Sequence, residues 1–287
     1  MAKKAGIRLK TREEIDKMRR AGRVVHRILK RCRELCVPGV TTAEIDQEAQ
    51  RLIDEAGGTG MFRGYTAGGN LPPFPSTLCL SVNEVVVHGI ANDTPIEDGD
   101  IVGVDCGVQI DGWCGDSATT ILVGDVAEDT RAMCEATQHV LQIAIENMRP
   151  GRQWSQVARL MQNYAESNGY GVVRDFVGHG IGQTMHEEPK VPNFVTPEPA
   201  GLGRNGFRGK LKRRAAAASP GADFTLREGM TLAVEPMCYL VEPNRPTGVV
   251  TLRDKWTVVT HNRRPAAHYE HTLAVTADGC EILTDGN

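Results

Sequence analysis

The sequence predicts an α+β fold built on an antiparallel sheet. Patterns typical of two helices precede a strand-rich stretch over residues 78–123, and two more predicted helices precede a second strand-rich stretch. Runs of helices followed by runs of strands are typical of α+β proteins, whereas a parallel sheet would need strands that alternate regularly with helices. Asp111-Gly112 is a strong signal for a two-residue hairpin between neighbouring strands. The chain therefore divides into two αβ halves, although no residue-level repeat relates them.

Capping boxes mark the first two helices. Residues 11–14 (TREE) and 41–44 (TTAE) each place a threonine three positions before a glutamate, so that the two side chains satisfy free N–H groups of the first turn. Pro38-Gly39 ends the first helix and Gly57-Gly58 ends the second. Between these signals, apolar residues recur at helical spacing. They are Ile15, Met18, Val25, Ile28, Leu29 and Cys32 in the first helix, and Ile45, Ala49, Leu52 and Ile53 in the second.

The remaining elements follow from composition and punctuation. Residues 60–78 are rich in glycine and proline and are typical of a loop. Apolar periodicity predicts helices near 129–148 and 153–168. From Gly169 to the end, short apolar runs separated by long polar segments predict strands and loops.

Composition excludes several classes of protein. The net charge is −3 over 287 residues, so no overall field attracts the chain to DNA or to a membrane surface. No run of 18 apolar residues occurs, and no apolar stretch of a secretory signal follows the basic N-terminus. The eight cysteines include no CxxC pair, which argues against a structural zinc site. Scattered cysteines are typical of reduced thiols, and we expect a cytoplasmic protein.

Residues 193–225 are expected to form a long surface insertion. The segment contains prolines, glycines and an alanine run, which are typical of a loop of this length. It also contains a basic cluster, which either is merely solvated or attracts a polyanion. The cluster consists of Arg208, Lys210, Lys212, Arg213 and Arg214.

Two aspartates of the predicted hairpin are candidate metal ligands. If the turn lies at residues 111–112, residue 107 faces Asp116, and Asp105 shares the face of residue 107. Asp105 and Asp116 are then diagonal neighbours, roughly 7–8 Å apart at the backbone. Two carboxylates at that spacing repel each other unless a cation lies between them. The alternative is that one aspartate lies at the surface and the other in a turn.

A third candidate ligand is His179, which lies in the sequence Gly178-His179-Gly180. Its glycine neighbours allow other groups to come close to the imidazole, a common ligand of transition metals. His186 follows seven residues later. A lone histidine is more often an ordinary core or surface residue, but two histidines beside glycine-rich backbone favour a site.

Glu235 and Glu270 complete the candidate set. Glu235 ends one apolar run and Glu270 precedes another. A carboxylate buried beside such a strand needs a cation or strong donors. Four carboxylates with one imidazole and no thiolate suit Mn, Fe or Co at least as well as Zn. A pair of such ions could lower the pKa of a bridging water and polarise a carbonyl group.

The ordered motifs resemble those of the type I methionine aminopeptidases, which belong to the pita-bread metallopeptidase superfamily. The resemblance runs from the first helix to Ile282. The motifs are Ser81–Gly89 (SVNEVVVHG), the Asp105–Asp116 spacing, Gly178–Gly182 (GHGIG), His186–Pro189 (HEEP), Glu235–Met237 (EPM) and Tyr269–Thr272 (YEHT).

The resemblance implies a fold, a site and a reaction. The fold is two pseudo-symmetric αβ halves around a central antiparallel sheet, with helices on its outer face. Two divalent ions, among which Co, Mn, Fe, Zn and Ni are all candidates, would activate a bridging water that removes the initiator methionine when the second residue is small. The implied metal ligands are Asp105, Asp116, His179, Glu235 and Glu270.

Further roles are carried over from the family to matching positions. His186 would hydrogen-bond the carbonyl group of the scissile peptide, and His88 would contact the backbone nitrogen that follows it. Glu235 would also handle the proton of the attacking water. The pocket for the methionine side chain has its counterparts in Phe74, Cys79, Met185 and Trp256, whose alternative role is ordinary core packing.

The sequence also departs from the family pattern. The loop between Tyr65 and Phe74 and the 193–225 segment are longer than usual, and we hypothesise that the basic cluster contacts ribosomal RNA.

We expect an N-terminal extension over 1–10, a single catalytic domain over 11–287, a monomer, and nascent polypeptide N-termini as partners.

Two alternatives remain open from the sequence. A proline-specific aminopeptidase or prolidase of the same superfamily would have similar ligands, although Cys79 and Trp256 favour methionine. An inactive pita-bread protein that only binds RNA or partners would have lost ligands, and all five are present.

Overall fold

The computed structural model of the chain describes residues 6–66, 68, 71–195 and 221–287. Its helices are α1 (Arg12–Leu35), α2 (Thr42–Glu55), α3 (Glu128–Asn147) and α4 (Trp154–Ser167). Its strands are β1 (Thr59–Gly60), β2 (Cys79–Val82), β3 (Val85–Val87), β4 (Ile101–Ile110), β5 (Trp113–Leu122), β6 (Tyr170–Val172), β7 (Gly178–Gly180), β8 (Glu187–Val191), β9 (Thr231–Val234), β10 (Met237–Leu240), β11 (Val249–Thr251), β12 (Val258–Thr260), β13 (Ala266–His268), β14 (Glu270–Val275) and β15 (Cys280–Ile282).

The capping boxes begin α1 and α2 as predicted. In each, the threonine hydroxyl accepts the glutamate N–H and the glutamate side chain accepts the threonine N–H. The four predicted helices are all present, and their bounds differ from the prediction by a residue or two. Of the ten apolar residues predicted for the first two helical faces, only Ile15 is not fully buried.

Nine of the described strands form one antiparallel sheet. Its main path runs β1-β4-β5-β14-β9-β7-β8, while β2 pairs with β4 and β15 pairs with β14. The 10-residue strands β4 and β5 form a hairpin that supplies its longest ladder. Two smaller three-stranded sheets, β13-β10-β6 and β11-β12-β3, flank it.

The helices pack on the sheet in two sets. Helix α1 lies against β4 and β5, and its apolar face joins α2 in a cluster that includes Val104, Cys106 and Ile121. Helices α3 and α4 pack on each other and share a second cluster with β9 and β14. The predicted α+β class, with two αβ halves and an antiparallel sheet, is confirmed.

A glycine contact sets the distance between α1 and β5. A Cβ atom added at Gly115 would lie 2.8 Å from the backbone nitrogen of Gly22, and one added at Gly22 would lie 1.8 Å from the carbonyl oxygen of Leu283. Only glycine allows backbones to approach this closely. The backbone of α1 therefore packs directly against strand β5 of the hairpin.

Candidate metal centre

The β4–β5 hairpin positions the two aspartates as its sequence predicts. Gly107 pairs with Asp116, and Asp105 pairs with Ala118. The turn residues 111 and 112 both have positive φ, 49° and 77°, as a type I′ turn requires. The turn type fixes the register, and the register fixes which carboxylates share a face.

Strand pairing across the sheet brings in the other three candidates. Glu270 begins β14 and pairs with Ala118 of β5. Strand β9 lies between β14 and β7, so that Glu235, the residue after β9, comes close to His179 of β7. These contacts join residues far apart in sequence.

The five candidate ligands line one cleft, and the ligand atoms of three of them lie close together. His179 Nε2 lies 3.7 Å from Asp116 Oδ2 and 3.7 Å from Glu235 Oε1. Ligand atoms of Asp116, His179 and Glu270 lie within 4.8 Å of one another. Asp105 faces the same cleft and repels the other carboxylates electrostatically.

Backbone contacts around His179 explain its flanking glycines. A Cβ atom added at Gly178 would lie 2.3 Å from the Ala233 carbonyl oxygen, and one added at Gly180 would lie 2.3 Å from that of Glu188. The His179 Nδ1 atom lies 3.0 Å from the Gly180 carbonyl oxygen. A proton on Nδ1 donates to that oxygen and leaves the Nε2 lone pair facing the carboxylates.

Burial and mutual repulsion disfavour the charged forms of the four carboxyl groups in the cleft. Burial raises the pKa of Asp105 to about 7, and burial with repulsion from Asp105 raises the pKa of Glu235 to about 8. Burial and neighbouring carboxylates raise the pKa values of Asp116 and Glu270 well above their ordinary range. Burial, then His186, lowers the pKa of His179 to about 3, so its imidazole is neutral near pH 7.

The residues fit a bound metal ion. Asp105 Oδ1, Asp116 Oδ1 and Glu270 Oε1 are buried and have no hydrogen-bond partner among the described residues. Buried carboxylate oxygens without donors are costly, and bound divalent cations would supply the missing partners. Carboxylate oxygens with one neutral imidazole are a suitable donor set for first-row divalent metals.

Hydroxyl groups join the strands next to the candidate ligands. The Thr272 hydroxyl accepts the Asp116 N–H (3.0 Å) and donates to the Asp116 carbonyl oxygen (2.8 Å). The Ser117 hydroxyl donates to the Glu270 carbonyl oxygen at 2.6 Å. The Thr120 hydroxyl donates to the His268 carbonyl oxygen and accepts the His268 N–H. Sequence reasoning missed these contacts, because strand position alone gives no signal for them.

The two further histidines, His88 and His186, also line the cleft. His88 follows β3 with φ of 57°, a left-handed conformation uncommon outside glycine, and its ring contacts Phe176 edge-on at 5.2 Å. The His186 ring is 4.4 Å from the His179 ring and 5.5 Å from the Tyr65 ring. Both face a cleft of about 890 Å³ that also contains the carboxylates.

An apolar pocket opens from the same cleft. Phe74, Cys79 and Trp256 form one buried cluster, in which Phe74 and Trp256 meet edge-on at 5.3 Å. Cys79 pairs with Asp105 across β2 and β4, so the pocket begins beside a candidate ligand. Met185 is buried and lines the cleft beside Phe62. All four residues that the sequence assigned to the pocket therefore face the candidate centre.

The long loop between Tyr65 and Phe74 is closed at its base. The Gly64 N–H donates to the Phe74 carbonyl oxygen, and the Phe74 N–H donates to that of Tyr65. The Trp256 indole N–H donates to the Pro72 carbonyl oxygen at 2.9 Å. The loop thus contributes Tyr65 to the cleft, which the sequence did not predict, because a loop rich in glycine and proline gives no periodic signal.

The ends of the predicted 193–225 insertion belong to the core. Asn193, Phe194 and Phe224 are buried, and Phe224 stacks on Trp154. Residues 196–220, with the basic cluster, lie outside the described residues, and the surface insertion stays a prediction. Within the predicted 1–10 extension, Lys10 is buried and Arg8 lines the cleft. Among the described residues, no helix is long and apolar enough to cross a membrane.

Comparison with known proteins gives matches over nearly the whole chain. The model of metallopeptidase family M24 matches residues 16–277. The methionine aminopeptidase of Clostridium perfringens is 39% identical over 278 residues, which cover 97% of this chain and 98% of that protein. Methionine aminopeptidase 1 of Bacillus subtilis is 37% identical over 275 residues. The crystal structure of the Thermotoga maritima methionine aminopeptidase matches with a TM-score of 0.82 at 36% identity, covering 97% of this chain and 99% of that one.

Proposed function

Since the chain belongs to the methionine aminopeptidases of metallopeptidase family M24, we propose that it removes the initiator methionine from proteins whose second residue is small. The observation that carries this proposal is that four carboxyl groups and a neutral imidazole line one cleft beside an apolar pocket. The first group of residues suits a hydrolytic metal, and the second suits a thioether side chain.

We propose that the metal is held by Asp105, Asp116, His179, Glu235 and Glu270. Their number and their four carboxylates suit two divalent ions, for which Co, Mn, Fe, Zn and Ni are all candidates. Bound there, the ions would activate a water molecule and polarise the carbonyl group of the first peptide bond. The orphaned oxygens of Asp105, Asp116 and Glu270 support this assignment.

The chain's own side chains would handle the peptide and the proton. Glu235 would accept the proton of the attacking water, because its buried carboxylate lies among the other candidate ligands, 3.7 Å from His179 Nε2. His186 would hydrogen-bond the carbonyl oxygen of the first peptide bond and stabilise the charge that develops on it. His88 would contact the nitrogen of the peptide bond that follows. Both histidines border the same cleft, on the side of His179 and on the side of Phe176 respectively.

The pocket of Phe74, Cys79, Met185 and Trp256 would bind the methionine side chain. Edge-on aromatic rings and a thiol provide polarizable contacts for sulfur. The pocket starts at Cys79, opposite Asp105, which would place the first side chain directly beside the metal ligands.

A peptide panel tests the proposal. We expect the protein, supplied in turn with Mn²⁺, Fe²⁺ and Co²⁺, to release methionine from Met-Ala-Ser and not from Met-Leu-Ser. We expect no release of the first residue from Leu-Ala-Ser or Ala-Pro. Release of alanine from Ala-Pro without cleavage of Met-Ala-Ser would instead identify a proline-specific enzyme. No cleavage of any peptide with any of the metals would support a binding protein.

We further propose a cytoplasmic monomer, with residues 11–287 acting as one catalytic domain on nascent N-termini. The basic cluster at 208–214 would contact ribosomal RNA, because clustered arginine and lysine favour phosphates. Charge reversal of its five basic residues should abolish co-sedimentation with ribosomes while Met-Ala-Ser cleavage persists. Unchanged co-sedimentation would refute the ribosome contact alone, and light scattering would test the monomer.

A further inference from the structure

One buried side chain at the cleft has no role in the reaction described above. His268 ends β13 and is 4% exposed, and its Nε2 atom has no hydrogen-bond partner among the described residues. The nearest carboxylate oxygen recorded is Glu270 Oε2, at 3.9 Å. A buried ring nitrogen without a partner is costly and needs an explanation.

The backbone of His268 is held firmly. Its N–H donates to the Thr120 hydroxyl at 3.0 Å, and that hydroxyl donates to the His268 carbonyl oxygen at 2.9 Å. Across the other edge, His268 pairs with Met237 of β10. Both edges of this backbone are therefore fixed, and the imidazole that it carries is buried at the cleft.

The Glu270 carboxylate is the partner that best fits this nitrogen. One oxygen of this carboxylate, Oε1, is also buried without a hydrogen-bond partner among the described residues. A relative movement of about 1 Å would bring Nε2 and Oε2 to hydrogen-bond distance. Carboxylates that bind metals are themselves commonly hydrogen-bonded by a neighbouring donor, which orients them.

We propose that His268 is a positioning residue, whose Nε2–H donates to Glu270 and orients that carboxylate for the metal. The inference rests on the proposed role of Glu270 as a ligand. A direct metal contact by His268 is the alternative, and the visible spectrum of the Co²⁺-loaded protein distinguishes the two roles.

Two substitutions separate the donor from the shape of the side chain. His268→Leu replaces the imidazole with an apolar side chain of similar size and so removes the donor. His268→Gln instead keeps an N–H donor at comparable reach. Calorimetric titration of the metal-free proteins with Mn²⁺ should show a 10- to 100-fold loss of affinity for His268→Leu, as is typical when the partner of a ligand is removed. His268→Gln should bind within about threefold of the wild type, since the amide replaces the donor. The exposed His261 provides a matched control, and His261→Leu should leave the affinity unchanged.

Three results would overturn the inference. Wild-type affinity in His268→Leu would show that Glu270 needs no partner. Equal losses in His268→Leu and His268→Gln would show that the donor is not what matters. If the visible spectrum of the Co²⁺-loaded protein changes in His268→Leu and stays changed in His268→Gln, His268 is a direct metal ligand. If the wild type binds Mn²⁺ but releases no methionine, the proposed function fails while the role of His268 stands.

Discussion

At the scale of single residues, the local sequence around Asp105 predicts its strand pairing but not the site that it joins. The Asp-Gly turn predicts the hairpin register, and the structure confirms the pairing of Gly107 with Asp116. The pattern does not reveal that Asp105 and Asp116 share a buried cleft with His179, because that depends on strands β14, β9 and β7. The grouping of these residues in one site was instead implied by the family that the ordered motifs resemble.

Asp105→Asn should abolish activity and leave the fold intact. The amide keeps the shape of the side chain but removes one negative charge from a crowded cluster, so the metal-free variant should melt no lower than the wild type. We expect the rate of methionine release to fall by more than about 100-fold, the upper end for loss of a mere supporting contact. Asp111→Asn in the exposed turn of the same hairpin should change neither quantity. More than a tenth of the activity in Asp105→Asn would contradict the assignment.

The pKa shifts predict how the metal-free protein responds to pH. Raised pKa values at Asp105 and Glu235, about 7 and about 8, mean that the folded state keeps protons that the unfolded chain releases. The free energy of unfolding should therefore fall as pH rises through this range. Histidines with lowered pKa values, such as His179 at about 3, bind few protons in either state above about pH 7 and do not offset the fall.

Urea unfolding in the presence of a chelator measures this effect. The metal-free protein should be less stable at about pH 8.5 than at about pH 7, and saturating Mn²⁺ should remove the difference because the cation compensates the carboxylates. A metal-free protein that gains stability over this interval would show that the carboxyl groups are not buried together.

The proposed role of His268 could not be predicted from the sequence. A histidine two positions before Glu270 has no signal of its own, since lone histidines are common in cores. Its orphaned nitrogen is visible only when β13, β10 and β5 are assembled around it.

At the scale of elements, the segment between β7 and β8 depends on one buried ion pair. Lys10 Nζ lies 2.7 Å from Glu187 Oε2, and the lysine side chain is 1% exposed. The other Glu187 oxygen accepts the N–H of Gln183 at 3.0 Å. Gly182 leaves room for the pair, because a Cβ atom there would lie 2.5 Å from Glu187 Oε1. The pair thus supports the turn that carries Met185 and His186.

Lys10→Met should weaken both stability and activity. Breaking a buried pair leaves one charge unpaired and costs about 3 kcal/mol in the free energy of unfolding. A turn that no longer holds His186 should lower kcat/KM for Met-Ala-Ser by about tenfold. Arg20→Met, which removes an exposed pair with Asp111, should stay within about 0.5 kcal/mol and keep full activity. Loss of stability without any loss of kcat/KM would show that the pair does not position the turn.

Elements with strong local signals were predicted well, and short ones were not. Capping boxes and apolar periodicity located four helices, and the Asp-Gly turn located the longest hairpin. Strands such as β1, with two residues, or β6, with three, form only through partners far away in the sequence. Propensity and periodicity cannot identify strands of this length.

At the scale of the whole molecule, the fold class was predictable and the assembly of the sheet was not. The order of helices and strands predicts two αβ halves, and similarity to the Thermotoga maritima enzyme confirms the pita-bread fold that the motifs imply. The strand order β5-β14-β9-β7 joins both halves and crosses long stretches of chain. No local pattern encodes such pairings, although they create the cleft.

With metal held by the five residues of this cleft, the protein would hydrolyse the first peptide bond of its substrate. The most direct test adds Mn²⁺ in known equivalents to metal-free protein and follows the initial rate of methionine release from Met-Ala-Ser. We expect no release without metal, a rise with added ion that reaches its plateau by about two equivalents, and no rise in Asp116→Asn. Full activity in chelator, or an unchanged titration in Asp116→Asn, would contradict the account.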